Sequence, residues 1–416
     1  MGAGSRHGSS ALARAPALFQ WEGVSASPNR VIPLLSLAAF ASAATTRVCD
    51  GLLPQIAADF GVTVGAAGWV ITAYSATYGL LQIAYGLGGD RLGKARVILF
   101  GVVLSLVATA ACALAATLPG LILARLLAGA AAAGIIPLSV AWIGDAVPYE
   151  KRQAIIARFI TGQIGGVVVG LAFGGLIGEL LGWRAAFWLI GFLYVVAGLG
   201  LVGWFRHGLV APIPAETRQS AMATVAGVLA NPWARRVYLI TFLEGFLCFG
   251  AFAYLSAALR ARFGLGLGAS GLIVAAFGLG GAGYALVAPR FVPRFGEAGG
   301  ARLSSAFFAL GFLGLAVAPA AWLTIPAALC VGIGYYMLHN VLQVNATQMA
   351  PEARGAAVAL FATAFFVGQG LGVAAAAPVV DRLGTAPVFV AVGVLLPLCA
   401  LLFARALERR VVPPGL

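Results

Sequence analysis

Charge is what this chain has least of: Asp, Glu, Lys and Arg make up 9% of its 416 residues, 13 of them acidic and 26 basic. Soluble globular domains carry about a quarter of their residues as charges, so a water-soluble fold is excluded. Cysteine is scarce as well. The five (Cys49, Cys112, Cys248, Cys330, Cys399) all fall in long apolar runs, which leaves neither a disulfide framework nor a paired metal motif. The three histidines (His7, His207, His339) are far apart and no Walker loop occurs, so no enzyme, metal centre or cofactor is expected. Residues 1–30 hold Arg6, Arg14, Glu22 and Arg30 with no apolar signal core, and are expected to form a disordered cytoplasmic tail.

What the chain does have is apolar surface, with 61% hydrophobic residues, 56 glycines and a mean hydropathy of +0.99. A bilayer core of about 30 Å is crossed by about 20 helical residues. Runs such as 97–118 are apolar on every face, unlike the alternating strands of a membrane barrel. The pattern predicts twelve helical spans, at 31–53, 65–88, 97–117, 119–144, 155–178, 185–205, 236–258, 269–289, 303–319, 321–345, 356–380 and 386–405. A polar gap with Pro212, Pro214, Glu216, Arg218, Asn231 and Pro232 divides them. The expected fold is therefore an all-α membrane protein of two six-helix bundles, 31–205 and 236–405, joined by a cytoplasmic linker, 206–235, and closed by a tail, 406–416.

A net charge of +13 would suggest nucleic acid in a soluble protein, but here position decides. Twenty of the 26 basic residues fall on the side of the termini and four in the opposite loops (Arg184, Arg260, Arg262, Arg382); two lie inside spans. That bias predicts both termini in the cytoplasm, with the lipid bilayer and not nucleic acid as partner.

The two halves resemble each other. Residues 152–187 and 354–389, a shift of 202, share eleven identities in 36 positions, among them Arg152 with Arg354, Phe159 with Phe361, Thr161 with Thr363, and Gly166 and Gly170 with Gly368 and Gly372. A parallel six-span repeat is expected in secondary transporters, whose substrate sits between the halves near the midplane. Gly162, Gly166, Gly170 and Gly174 recur on one helix face and would let a neighbouring backbone approach.

Ionisable groups inside a bilayer are costly and mark functional sites. Arg47 and Asp50 lie in the first span, Arg125 in the fourth and Glu244 in the seventh. Glu244 is about 12 Å from the start of its span, near mid-bilayer, where it could exchange a proton, bind a cation or merely hydrogen-bond a neighbouring helix. Asp50 shares a face with Arg47, which it could neutralise, or could pair with Arg125 at similar depth. Two stripes at steps of four, Tyr74, Tyr78 and Gln82 on span two and Tyr335, His339 and Gln343 on span ten, suit either an amphipathic organic substrate or plain helix packing. A lone histidine such as His339 is more often a packing residue than a proton carrier.

The loop Gly86-Leu-Gly-Gly-Asp90-Arg91-Leu-Gly93-Lys94-Ala-Arg96 resembles the signature of the major facilitator superfamily, and Pro293-Arg294-Phe-Gly296-Glu297 is a degenerate copy with proline in place of the aspartate. The resemblance implies a gating role for Gly86, Asp90, Arg91, Gly93 and Lys94. Arg125-Leu-Leu-Ala-Gly129 is similar to the family's proton-coupling signature, and Arg47-Val-Cys-Asp50-Gly-Leu-Leu-Pro54 to the drug:proton antiporter branch, although Leu171 stands where the antiporter pattern has proline. It implies a proton-driven efflux antiporter of a small organic solute, a monomer in the bacterial inner membrane, with the proton gradient as its energy source. An importer or facilitator of the same family, and a receptor that moves nothing, are the alternatives.

Overall fold

The computed structural model describes residues 31–205 and 221–410; the expected tail 1–30, the last residues 411–416 and linker residues 206–220 lie outside the described residues. The first half comprises α1 (Val31–Phe60), α2 (Val64–Leu92), α3 (Lys94–Leu114), α4 (Leu118–Ala146), α5 (Tyr149–Leu181) and α6 (Trp183–Phe205). A short helix, Ala221–Ala230, leads into α7 (Pro232–Phe263) and a 51-residue helical run, Leu267–Val317. That run turns at Gly296, whose φ of 64° and ψ of −174° suit only glycine, giving α8 (267–295) and α9 (297–317). Then follow α10 (Thr324–Gln348), α11 (Arg354–Leu383) and α12 (Ala386–Glu408).

Ten helices among the described residues are long and apolar enough to cross a membrane. Division at Gly296 adds one, and α2, 29 residues packed among α1, α4 and α11, adds another. The result is the all-α, two-bundle architecture expected from the apolar runs. One boundary needs correction. The linker expected at 206–235 ends sooner, because Asn231 caps α7, its side chain accepting from Trp233 N, and Pro232 takes the first helical position. Asn and Pro break a helix interior but start a helix at these two positions, which is why the span begins inside the expected linker.

The chain ends of both halves lie at one face of the bundle, here the terminal face; the turns at 61–63, 115–117, 182, 264–266, 318–320 and 384 lie at the other, the distal face. Within each half, helices touch backbone to backbone. A Cβ on Gly166 would stand 2.3 Å from the Phe40 carbonyl oxygen, and one on Gly170 2.8 Å from that of Ala44, which joins α5 to α1. At the same shift of 202, Gly368 would meet the Phe242 oxygen at 2.3 Å and Gly372 that of Phe246 at 2.0 Å, which joins α11 to α7. The repeat thus extends to α1 and α7, outside the stretch that carries the eleven identities.

The halves meet along α2 with α11 and α5 with α8. Thr72 Oγ1 donates to Gly370 O at 3.0 Å, Gln369 Nε2 to Ser75 Oγ at 2.9 Å and Thr363 Oγ1 to Gly79 O at 2.8 Å. On the other seam Gly175 lies against Leu267 and Gly278 against Val168. These contacts run from the distal face to mid-helix. Beyond them α8 loses its buried face, with no buried residue from 285 to 295, and α5 has only Phe159 buried between 150 and 164, so the halves are sealed distally and parted at the terminal face.

Candidate functional site

The intramembrane charges gather around the seam. Arg125 is wholly buried: its Nε donates to Val70 O at 3.1 Å, its Nη1 to Thr45 O at 3.0 Å, and its guanidinium lies 4.1 Å from the centre of the Tyr74 ring. It therefore ties α4 to α1 and α2 and leaves Asp50 to Arg47, one helical turn away at 3.7 Å. Of the two pairings open in the sequence, the Arg47–Asp50 pair is the one formed. Arg125→Lys is expected to lose about 1–3 kcal/mol, read as a lower Tm in detergent, because an ammonium cannot serve both carbonyls and the ring face.

In the second half Glu244 ends the regular part of α7, just before a π-helical turn, Gly245–Phe249. Such turns re-aim side chains and recur at functional sites. Glu244 is wholly buried, and its Oε2 lies 2.8 Å from Nδ1 of His339 on α10. No base is near Glu244 along α7, but the fold supplies one from 95 residues away. Rings of Tyr335, Phe361 and Phe365 surround the imidazole at 4.9, 5.2 and 5.0 Å between centroids. His339 is thus an ionisable partner, and the packing role that a lone histidine suggests is only part of its place.

The two pairs face each other across the halves. The Arg47 guanidinium stacks 3.8 Å above the Phe249 ring, on the residue that matches it in the repeat. Both carboxylate oxygens of Asp50, Arg47 Nη1 and Glu244 Oε1 are buried without a hydrogen-bond partner. Three charged or titratable side chains thus sit in the interior with unused bonding capacity, at the place where the halves touch.

The stripes fare differently. Tyr74 is sealed against Arg125, Tyr78 packs on Phe366 of the other half at 4.5 Å, and Gln82 is buried. On α10 Tyr335 is buried, His339 half-buried and Gln343 exposed, a gradient toward the parted terminal face. In the loop motif Gly93 makes the turn with a φ of 89°, Lys94 pairs with Asp145 at the foot of α4, and Gly86 has open space around it. The side chains of Asp90 and Arg91 lie outside the described ones. Glu179 and Asp381 at the distal seam, and Gln369 within it, went unnoticed in the sequence.

Two helical bundles that seal at one membrane face and part at the other, with ionisable pairs between them, define a transporter. Residues 35–373 match the family model described as Major Facilitator Superfamily, and the chain belongs to that superfamily. It is 31% identical over 374 residues to a protein of Streptomyces coelicolor described as a "Probable transporter", covering 85% of this chain and 82% of that one. To the chloramphenicol resistance protein of Streptomyces lividans it is 29% identical over 234 residues, 56% of this chain and 59% of that protein. Its fold is similar to the crystal structure of a bacterial homologue of the human lysosomal transporter Spinster in an inward-facing, unoccupied conformation, with a TM-score of 0.72 at 18% identity over 93% of this chain and 100% of that one. The protein is a multi-pass membrane transporter for a small molecule and not an enzyme.

Proposed function

We propose that the chain is a proton-coupled exporter of a small organic solute, working by alternating access. The observation that carries this reading is the Arg47–Phe249 contact, which places the Arg47–Asp50 pair of one half against the Glu244–His339 pair of the other. Asp50 and Glu244 hold oxygens that accept no hydrogen bond, so a proton has a place to land on each. Taking up a proton changes the charge balance at the seam and so the relative free energy of the two states. The basic bias supports a cytoplasmic terminal face and cytoplasmic termini, with the present arrangement inward-open, and the bacterial relatives support a bacterial inner membrane as its location. The likeness to the chloramphenicol resistance protein supports efflux of an organic molecule. Asp90 and Arg91, with Gly86, Gly93 and Lys94, belong to the gate on that side.

The test is flux in proteoliposomes with an imposed pH gradient, against a panel of drugs, sugars and organic acids. A solute should move counter to protons, and Asp50→Asn should slow it about tenfold, within the usual range of coupling energies. Flux that ignores the gradient and survives Asp50→Asn would sink proton coupling. A facilitator is the second reading. It is favoured by Leu171, which stands buried in an unbroken α5 where the antiporter pattern has proline, and inverted vesicles would show its flux running down the solute gradient in either direction.

A further inference from the structure

At the distal face the two halves are joined by a matched pair of contacts. Near the end of α5, Glu179 Oε2 accepts from the backbone N–H of Gly268, in the first turn of α8, at 2.5 Å. Near the end of α11, Asp381 Oδ1 accepts from the N–H of Gly65, in the first turn of α2, at 2.8 Å, while its Oδ2 accepts from Thr63 Oγ1 at 2.7 Å. The repeat relates them: Glu179 and Asp381 are 202 apart, Gly65 and Gly268 are 203 apart. Each carboxylate comes from one half and each helix start from the other.

The helix starts are built to receive these groups. The first N–H groups of a helix lack intrahelical partners and carry partial positive charge, so a carboxylate is held there. The residue before α8 is Gly266, which has no side chain to cap with, and Glu179 supplies the cap from the other half. Glycine also makes the room: a Cβ on Gly65 would stand 2.4 Å from Asp381 Oδ2, and one on Gly268 2.7 Å from Glu179 Oε2. Neither carboxylate touches the buried pairs of the central site.

We propose that Glu179 and Asp381 are paired latches that hold the distal face shut, each grasping the start of a helix in the opposite half. The inference rests on the alternating-access part of the proposed function and is independent of which ion drives it. When the distal face opens, both contacts break together, and α8 loses its only side-chain cap among the described residues. The latches therefore set the resting balance between the two states.

Hydrogen–deuterium exchange on the substrate-free, full-length protein tests this. In Glu179→Ala and in Asp381→Ala, exchange in peptides 62–72 and 264–274 should rise about fivefold, the effect of one carboxylate at a helix start. The double variant should multiply the two to about 25-fold. Terminal-face peptides 150–164 and 284–296 should slow at the same time, because opening one face closes the other. Glu179→Gln and Asp381→Asn, which keep shape and one acceptor, should move the same way by less. Unchanged distal exchange in the double variant, or exchange rising at both faces alike, overturns the latch. Wild-type flux that ignores a pH gradient would instead remove proton coupling and leave this exchange pattern intact.

Discussion

Glu244→Gln is expected to cut gradient-driven flux about 100-fold, near the upper end of measured coupling between sites, while the protein still folds and purifies. Glutamine keeps the volume and one hydrogen bond to His339, so the packing of α7 on α10 survives. What it cannot do is gain and lose a proton. Solute exchange without a gradient should therefore persist in this variant, and initial rates measured with and without the gradient separate the two. His339→Gln should reduce driven flux as well. Because the two side chains act as one unit, the double variant should be no slower than the worse single one. Driven flux equal to wild type in Glu244→Gln would move the coupling site elsewhere in the seam.

Gly372→Val is expected to abolish folded protein. The first atom of any side chain there would stand 2.0 Å from the Phe246 carbonyl oxygen, and the opposing obstacle is backbone, which cannot rotate away. Overpacking a core costs about 1–3 kcal/mol when side chains can yield, and a rigid helix contact should exceed that. The measurement is the yield of monodisperse protein by fluorescence-detected size exclusion. Gly283→Val on α8 is the control, since nothing lies within 4 Å of the added carbon, and it should express as wild type does. Equal yields of the two would mean that α7 and α11 slide apart at little cost.

Much of this architecture was legible in the sequence, for identifiable reasons. Lipid demands that a span satisfy its own backbone, so composition and the apolar-on-every-face runs set the class of fold, and Gly93 in the loop motif makes a turn because its φ of 89° favours glycine. The glycine stripes of α5 and α11 announced close helix contacts, although not their partners. Pairings across the fold were beyond reach. Glu244 and His339 were both singled out, but only the tertiary structure brings α7 beside α10. Arg125 looked like half of an ion pair and instead binds two main-chain carbonyls, which every residue offers and no sequence can rank. Glu179 and Asp381 did leave a trace. They occupy matching places in the very window compared for the repeat, and counting acidic likeness along with identity would have found them.

The glycine seams inside each half carry one more consequence. Where α5 lies on α1 and α11 on α7, main chain rests on main chain, with no rotamers between them to absorb a displacement. Were α7 to tilt at Glu244, such a contact would carry the movement stiffly to α11 and along it to Asp381, much as a lever carries force to its far end. Fill those seams with flexible side chains and the same push would dissipate as local repacking before it reached the opposite rim.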